Sequence, residues 1–274
     1  AGVNGQMMTL YDRGGHIPLL WTHLIPATLE GRATHNVQNA MFAAAMAFSL
    51  GIKLDAIRQG LRTFDSTFFQ APGRMNVFNE HPFKVLFDYG HNAHAVGMMA
   101  DLAQRLDVTG RRIVVLAGPG DRRDEDLVAI ALAVAGRFDL YICRRDDNLR
   151  NRASDEVPRI QARALRAAGI ADSAIVIIPD EQEAIDAALR MGESGDLLLI
   201  FADALVRSWK QITKFKPLGT AAVKVVAAPL SRRPPLSDAK IDSRIEAAAA
   251  TPEFNLDGLI RDERGVRLAP ESDD

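Results

Sequence analysis

Between residues 83 and 201 the chain repeats one short unit five times, a run of Val, Ile, Leu and Phe followed by a stretch of helical periodicity. The apolar runs fall at residues 83–88, 112–117, 140–143, 174–178 and 197–201. None has the in-out alternation of a half-solvated strand, so both faces of each need burial. Strands joined through helices become parallel neighbours with right-handed crossovers, and the helices then cover both sides. The expected fold class is therefore α/β, a Rossmann-like, mostly parallel sheet with helices on both faces. Ligands of such sheets sit beyond the carboxyl ends of the strands. That directs attention to the loops beginning at Asp88, Ala117, Arg144 and Asp203.

The segment ahead of the repeats reads differently. Residues 6–11 and 16–22 are short mixed apolar runs separated by Asp12-Arg13-Gly14-Gly15, which is turn chemistry between two strands of a hairpin. From 34 to 50 the residues Val37, Ala40, Met41, Ala44, Ala45 and Phe48 recur at helical spacing, with Thr34 expected to cap the start and Gly51 to end it. A second helix is expected over 55–64. Ala71-Pro72-Gly73 is a linker signal, so the chain divides into 1–71, a sheet domain over 72–215, and a tail over 216–274. The tail, rich in Pro, Ala and charge, is expected to be flexible, with a short helix around 242–250.

Bulk properties remove several classes of function. With 274 residues, 47% of them apolar, the chain can bury a sizeable core. It carries 33 basic and 35 acidic residues, so no overall field argues for nucleic acid or an anionic membrane as partner. The longest apolar stretch, 40–50, is shorter than the roughly 20 residues of a spanning helix. One cysteine, Cys143, forms no internal disulfide, which fits a reducing cytoplasm. The start at Ala1, without methionine and directly into strand-like residues, suggests a fragment.

Three constellations carry chemistry. In His35-Asn36-Val37-Gln38-Asn39 the two asparagines stand three apart on one face of a helix start. Their carboxamides can pair with a purine edge while free amides meet an anion. As plain helix-start residues they are also ordinary caps. In Ala71-Pro72-Gly73-Arg74 a stiff turn holds one arginine whose planar fork suits phosphate oxygens; a surface arginine after a turn is the bland alternative. In Asp88-Tyr89-Gly90-His91-Asn92, at the end of the first repeat strand, Asp88 can accept ribose hydroxyls. His91 and Asn92 stand at a helix start that can orient a carboxylate or phosphate.

Taken together and in this order, the three resemble the Mur ligase and folylpolyglutamate synthase superfamily. That family carries His-Asn-x-x-Asn-x-x-Ala-Ala, then Pro-Gly-Arg, then Asp-x-x-His-Asn. Here these are His35, Asn36 and Asn39 with Ala43 beside the alanine pair, then Pro72-Gly73-Arg74, then Asp88 with His91-Asn92. The resemblance spans about residues 25–215, and Ala93 departs from it where many relatives have proline. It implies that 1–71 is the end of a central ATPase domain and 72–215 the carboxyl-terminal domain. It also implies an ATP-dependent amide-bond ligase working through an acyl phosphate. His35, Asn36, Asn39, Arg74 and Asp88 would bind ATP, and Arg74, His91 and Asn92 would serve at the reacting centre. Mg2+ would be held mostly by residues outside this chain.

Two further loops look like amino-acid recognition elements of the family. They are Gly120-Asp121-Arg122-Arg123-Asp124 and Asp147-Asn148-Leu149-Arg150, the second resembling the Asp-Asn-Pro-Arg motif of the diaminopimelate-adding ligase. Asp121, Arg122, Asp124, Asp147, Asn148 and Arg150 are thus the substrate candidates. The wording of 35–45, 71–78 and 87–96 is most like a member that adds arginine to the side-chain carboxyl of aspartate. By that resemblance the partners are an amino acid and an Asp/Arg polymer, together with upstream domains and a homo-oligomer. For the guanidinium, Asp121, Asp124, Asp146 and Asp147 are candidates. No Gly-x-x-x-x-Gly-Lys-Ser/Thr occurs in the chain, so the isolated chain is expected to bind nucleotide weakly at most and not to turn over. The rival readings are a ligase of the same superfamily for another amino acid, and a non-catalytic binding or oligomerisation module.

Overall fold

The computed structural model describes residues 6–217 and the backbone of 259–262 and 265–268. Two compact units are present, 1–231 and 232–274. In the second, β9 (Leu259–Asp262) and β10 (Gly265–Leu268) form an antiparallel hairpin that the sequence pattern did not announce. The helix expected around 242–250 lies outside the described residues.

The first unit opens with a hairpin of β1 (Met7–Asp12) and β2 (Gly15–Trp21), turned through Arg13 and Gly14, both at positive φ as a tight hairpin turn requires. Helices α1 (Thr34–Ser49) and α2 (Leu54–Thr63) follow, with Gly51 at φ +78° between them. Thr34 does not cap α1. The cap position is Ala33, whose backbone N–H donates to Thr28 O, and Thr28 Oγ1 organises the preceding turn by donating toward Thr22 O and Ile25 O and accepting from Gly31 N–H.

The sheet is the strand-helix repeat made visible. Its order is β3-β4-β8-β5-β6-β7, with β4 (Lys84–Asp88), β5 (Arg112–Leu116), β6 (Leu140–Cys143), β7 (Ile175–Ile177) and β8 (Leu197–Phe201) all parallel. An antiparallel edge strand, β3 (Asn76–Phe78), pairs with β4 and was not foreseen. Strands β5, β6 and β7 step outward on one side, and the chain then returns to insert β8 between β4 and β5.

That reversal sends helices to opposite faces. Helices α3 (Ala93–Arg105), α4 (Asp124–Val134) and α5 (Glu156–Ala167) cover Leu86, Val114, Leu116, Leu199 and Phe201. On the other side α6 (Glu181–Met191) and α7 (Leu205–Lys214) cover Val85, Phe87, Val115, Leu198 and Ile200. Adjacent residues of a strand thus enter different cores, which is why the runs are continuously apolar. Among the described residues, no helix is long and apolar enough to cross a membrane.

Candidate functional site

The carboxyl ends of β4, β5, β6 and β8 surround a cleft lined by Tyr89 to His91, Ala117 to Pro119, Arg144, Asp146, Ala202 and Asp203. This is where a chain reversal in an open parallel sheet leaves room for a ligand. All four loops singled out from the sequence arrive here.

Asp88 is buried, and its carboxylate is shared between two backbone donors, Met75 N–H (2.8 Å) and Gly90 N–H (2.7 Å). Burial raises its pKa, and the two amides, Arg74 and His91 oppose that rise. Both oxygens therefore serve to fix the turn around Arg74 and the start of the His91 loop. Tyr89 N–H donates to Gly73 O (2.9 Å), and the Arg74 guanidinium stands 5.9 Å over the Tyr89 ring. Gly73 sits at φ +69°, and a Cβ there would lie 2.6 Å from a Leu205 methyl, so only glycine lets this turn pack.

The α1 face reaches the same place. Asn39 Nδ2 donates to Asn36 Oδ1 (3.1 Å), and Asn36 Nδ2 donates to Ala27 O (2.7 Å) with the Met75 sulfur at 3.7 Å. Asn39, Asn36, Met75 and Asp88 are therefore linked in a continuous line that ends beside Arg74. His35 is half-buried. Its Nδ1 lacks a partner, and burial together with the charge of His94 holds its pKa below the ordinary histidine value. Asn92 caps α3, accepting from Ala95 N–H (2.9 Å), and His91 Nδ1 lies 3.2 Å from Tyr89 O. The structure thus brings His35, Asn36, Asn39, Arg74, Asp88, His91 and Asn92 to one neighbourhood although they span nearly sixty positions.

The recognition loops are also adjacent, and they are already occupied by each other. Asp121 pairs with Arg150 (2.5 Å), Asp124 with Arg152 (2.8 Å) and Asp147 with Arg207 (2.5 Å). Three of the acids expected to meet a substrate guanidinium therefore hold arginines of this chain. Asn148 Oδ1 accepts from Arg150 N–H (3.1 Å), in a turn where Arg150 and Asn151 both have positive φ. The Arg122 carbonyl accepts from Arg152 (2.7 Å), as does the Gly120 carbonyl (2.9 Å). A Cβ on Gly120 would stand 2.4 Å from Leu149 O, so the two loops touch backbone to backbone.

Beneath these loops lies a charged floor: Asp146 is among the guanidinium candidates and Arg144 and Asp203 open two of the loops read from the sequence, whereas Glu181 is not foreseen there. Arg144 is completely buried, and its Nη1 meets Glu181 (2.9 Å), Asp203 (3.4 Å) and Asp146 (3.6 Å). Glu181 is sealed at 0% exposure, and burial, with Asp203 beside it, pushes its pKa up to about 7. Burial alone would raise Asp203 too, but its contact with Glu181 and the Arg144 charge bring it below the usual carboxylate value. Burial raises Asp146. A charged residue directly after four apolar strand residues was the available signal for Arg144; nothing local marked Glu181 as its partner.

The same residues identify relatives. Residues 73–204 match the family described as Mur ligase, glutamate ligase domain. The chain is 39% identical over 224 residues to a cyanophycin synthetase of Trichormus variabilis, covering 76% of this chain and 24% of that protein. It is 35% identical to the Synechocystis cyanophycin synthetase over 196 residues, 72% of this chain and 22% of the relative. It thus spans about a quarter of the length of the curated relatives it matches. A UDP-N-acetylmuramoyl-L-alanyl-D-glutamate–2,6-diaminopimelate ligase of Solibacter usitatus is 28% identical over 60% of this chain and 32% of its own length. Among solved structures, the Mycobacterium tuberculosis folylpolyglutamate synthase complexed with ADP and AMPPCP shares the fold, with a TM-score of 0.55 at 20% identity over 79% of this chain and 47% of that one. So does a pseudomurein peptide ligase type C from Methanothermus fervidus, with a TM-score of 0.52 at 24% identity over 78% and 41%.

Proposed function

We propose that this chain, whose residues 73–204 match the Mur ligase glutamate ligase domain, is part of an ATP-dependent amide-bond ligase that adds arginine to the side-chain carboxyl of aspartate. The observation that carries the reading is the hydrogen-bonded line from Asn39 through Asn36 and Met75 to Asp88, ending at Arg74 beside the cleft. The arginine and aspartate specificity rests on the identity to cyanophycin synthetases.

In this mechanism a substrate carboxylate oxygen attacks the γ-phosphorus of ATP and ADP leaves; the amine nitrogen then attacks the acyl carbon and phosphate leaves. Phosphoryl transfer needs placement and charge stabilisation more than covalent help. His35, Asn36 and Asn39 would face the adenine, with His35 held neutral at pH 7 so that its free nitrogen can accept or donate without bringing charge. Arg74 would lie along the phosphates or ribose, and Asp88 would set the turn beneath them. His91 and Asn92, at the start of α3, would orient the acyl phosphate near the helix amides.

Magnesium would neutralise phosphate charge when bound. Among the described residues no group of three or more His, Cys, Asp or Glu is arranged to hold a metal.

The test is ADP release by the ligase of which this chain is proposed to be part, with an aspartate-bearing primer and arginine, lysine, glutamate or diaminopimelate offered separately. Arginine should be preferred by at least about a hundredfold in kcat/KM, the discrimination available to a site that pairs a charged group. Equal rates with diaminopimelate would move the assignment to another ligase of the superfamily. No ATP-dependent turnover with any of them would favour a binding module.

A further inference from the structure

The cleft mechanism leaves one strongly placed group without a task, the buried guanidinium of Arg144. It reaches three structural elements at once. Nε and Nη2 both donate to Phe201 O at the end of β8 (3.2 and 2.8 Å), and Nη1 donates to Arg145 O just after β6 (2.6 Å). Nη1 also meets Glu181 at the start of α6, while Glu181 in turn accepts from the Asp203 and Ala204 amides (3.0 and 3.2 Å) and from Ser208 Oγ (2.5 Å).

The three acids around it are not equivalent. Glu181 has no exposed side-chain surface, whereas the side chains of Asp146 and Asp203 keep 16% and 23% exposure and line the cleft that His91 also lines. Arg144 Nη1 lies 2.9 Å from Glu181 but 3.4 and 3.6 Å from Asp203 and Asp146, and these two more distant acids are the two that a ligand can reach. We propose that Arg144 is a positioning residue: by clamping the carboxyl ends of β6 and β8 together it holds Asp146 and Asp203 at fixed points on the cleft wall, where they receive the cationic amino-acid substrate. This rests on the proposed ligase reading and names the acids that read the cation in that same site. It also accounts for the loop-tip acids, since Asp121, Asp124 and Asp147 are engaged by Arg150, Arg152 and Arg207.

Arginine is needed for geometry as well as charge. Its planar fork spans Phe201 O on one side and Glu181 on the other, whereas a lysine ammonium is a single point of charge on a flexible stem. Arg144→Lys therefore keeps the charge and loosens the clamp. In the ligase proposed to carry this chain, with arginine and ATP varied separately, Arg144→Lys should raise KM for arginine about tenfold or more and leave KM for ATP within about twofold. Asp203→Asn, which removes one receiving charge and leaves the clamp's other bonds in place, should raise KM for arginine in the same sense.

If Arg144→Lys instead lowers the melting temperature and kcat with both KM values unchanged, Arg144 only supports the fold and the inference is overturned. Should Arg144→Lys not fold, an unchanged KM for arginine in Asp203→Asn overturns it independently. Wild-type enzyme that releases no ADP with arginine at all would instead defeat the ligase reading on which the inference stands.

Discussion

The parallel sheet and the segment ahead of it satisfy their apolar residues in different ways. Each strand of the sheet places alternate side chains into two separate cores, and Val85, Leu86, Ile113, Val114, Leu198 and Leu199 are fully buried. The hairpin and α1–α2 share a single small core of Met8, Leu19, Leu20, Ile25, Ala27, Ala44 and Ile57. Along α1 the side chains of Met41, Phe42 and Met46 remain 51–69% exposed. Burial of apolar area is the dominant stabilising contribution, so the sheet can hold itself together while the leading segment depends more on its attachment.

Two tryptophans allow this contrast to be measured. Trp209 stacks on Phe68 at 4.9 Å and packs near Phe78 and Phe87 against the sheet, while Trp21 ends β2. With Trp21→Phe leaving Trp209 as reporter, Ile200→Ala in the middle of the sheet should cost about 3–4 kcal/mol, through lost transfer energy and an unrelaxed cavity. With Trp209→Phe leaving Trp21, Leu20→Ala should cost about 2 kcal/mol, because the smaller core can collapse around the gap. Urea unfolding followed by fluorescence should show the Trp21 transition at lower denaturant. Coincident transitions for both reporters would dissolve the distinction and make the unit a single cooperative body.

The same contrast explains what could be read from residues alone. The five parallel strands were legible because two-sided burial writes a continuous apolar run, and the hairpin because Arg13-Gly14 can take positive φ. The edge strand β3 was not, since three residues beginning with buried, hydrogen-bonded Asn76 carry no strand pattern. Positions at the ligand edge were legible from topology. Their partners were not: Asp121–Arg150, Asp147–Arg207 and Arg144–Glu181 join residues 29, 60 and 37 positions apart, and periodicity does not encode such pairings.

A smaller effect sharpens the sheet side of the comparison. Glu181 has its pKa raised from 4.5 to about 7, so the folded state prefers it protonated. Its contribution is complete below the unfolded value near 4.5 and is lost as pH rises through about 7. The linkage amounts to at most about 3.5 kcal/mol, as about 2.5 units at about 1.4 kcal/mol each. Asp203 works in the opposite sense, its lowered pKa adding stability above about 3.8 that disappears on further acidification. Glu181→Gln should therefore flatten the decline between pH 4.5 and 7, measured as melting temperature against pH with Trp209 as reporter. An unaltered slope would mean that Arg144 keeps Glu181 ionised.

The weakest test concerns the join itself. Arg32, just before α1, pairs with Asp107, just after α3, at 2.9 Å, and Arg105 reaches Arg32 O at 3.4 Å. Asp107 keeps 92% of its side chain exposed and Arg32 keeps 34%, so water and salt screen the pair, and exposed pairs of this kind contribute about 0.2–1 kcal/mol. A double-mutant cycle of Arg32→Gln and Asp107→Asn, read from the Trp21 transition, should give a coupling below about 0.5 kcal/mol that vanishes by about 0.5 M salt. The attachment of α1 to the sheet then falls to the half-buried Asn36–Met75 contact and to apolar packing around Ala33. A salt-resistant coupling above about 1.5 kcal/mol would place the anchor in the ion pair instead, and the leading segment would owe its position to charge, with apolar contact secondary.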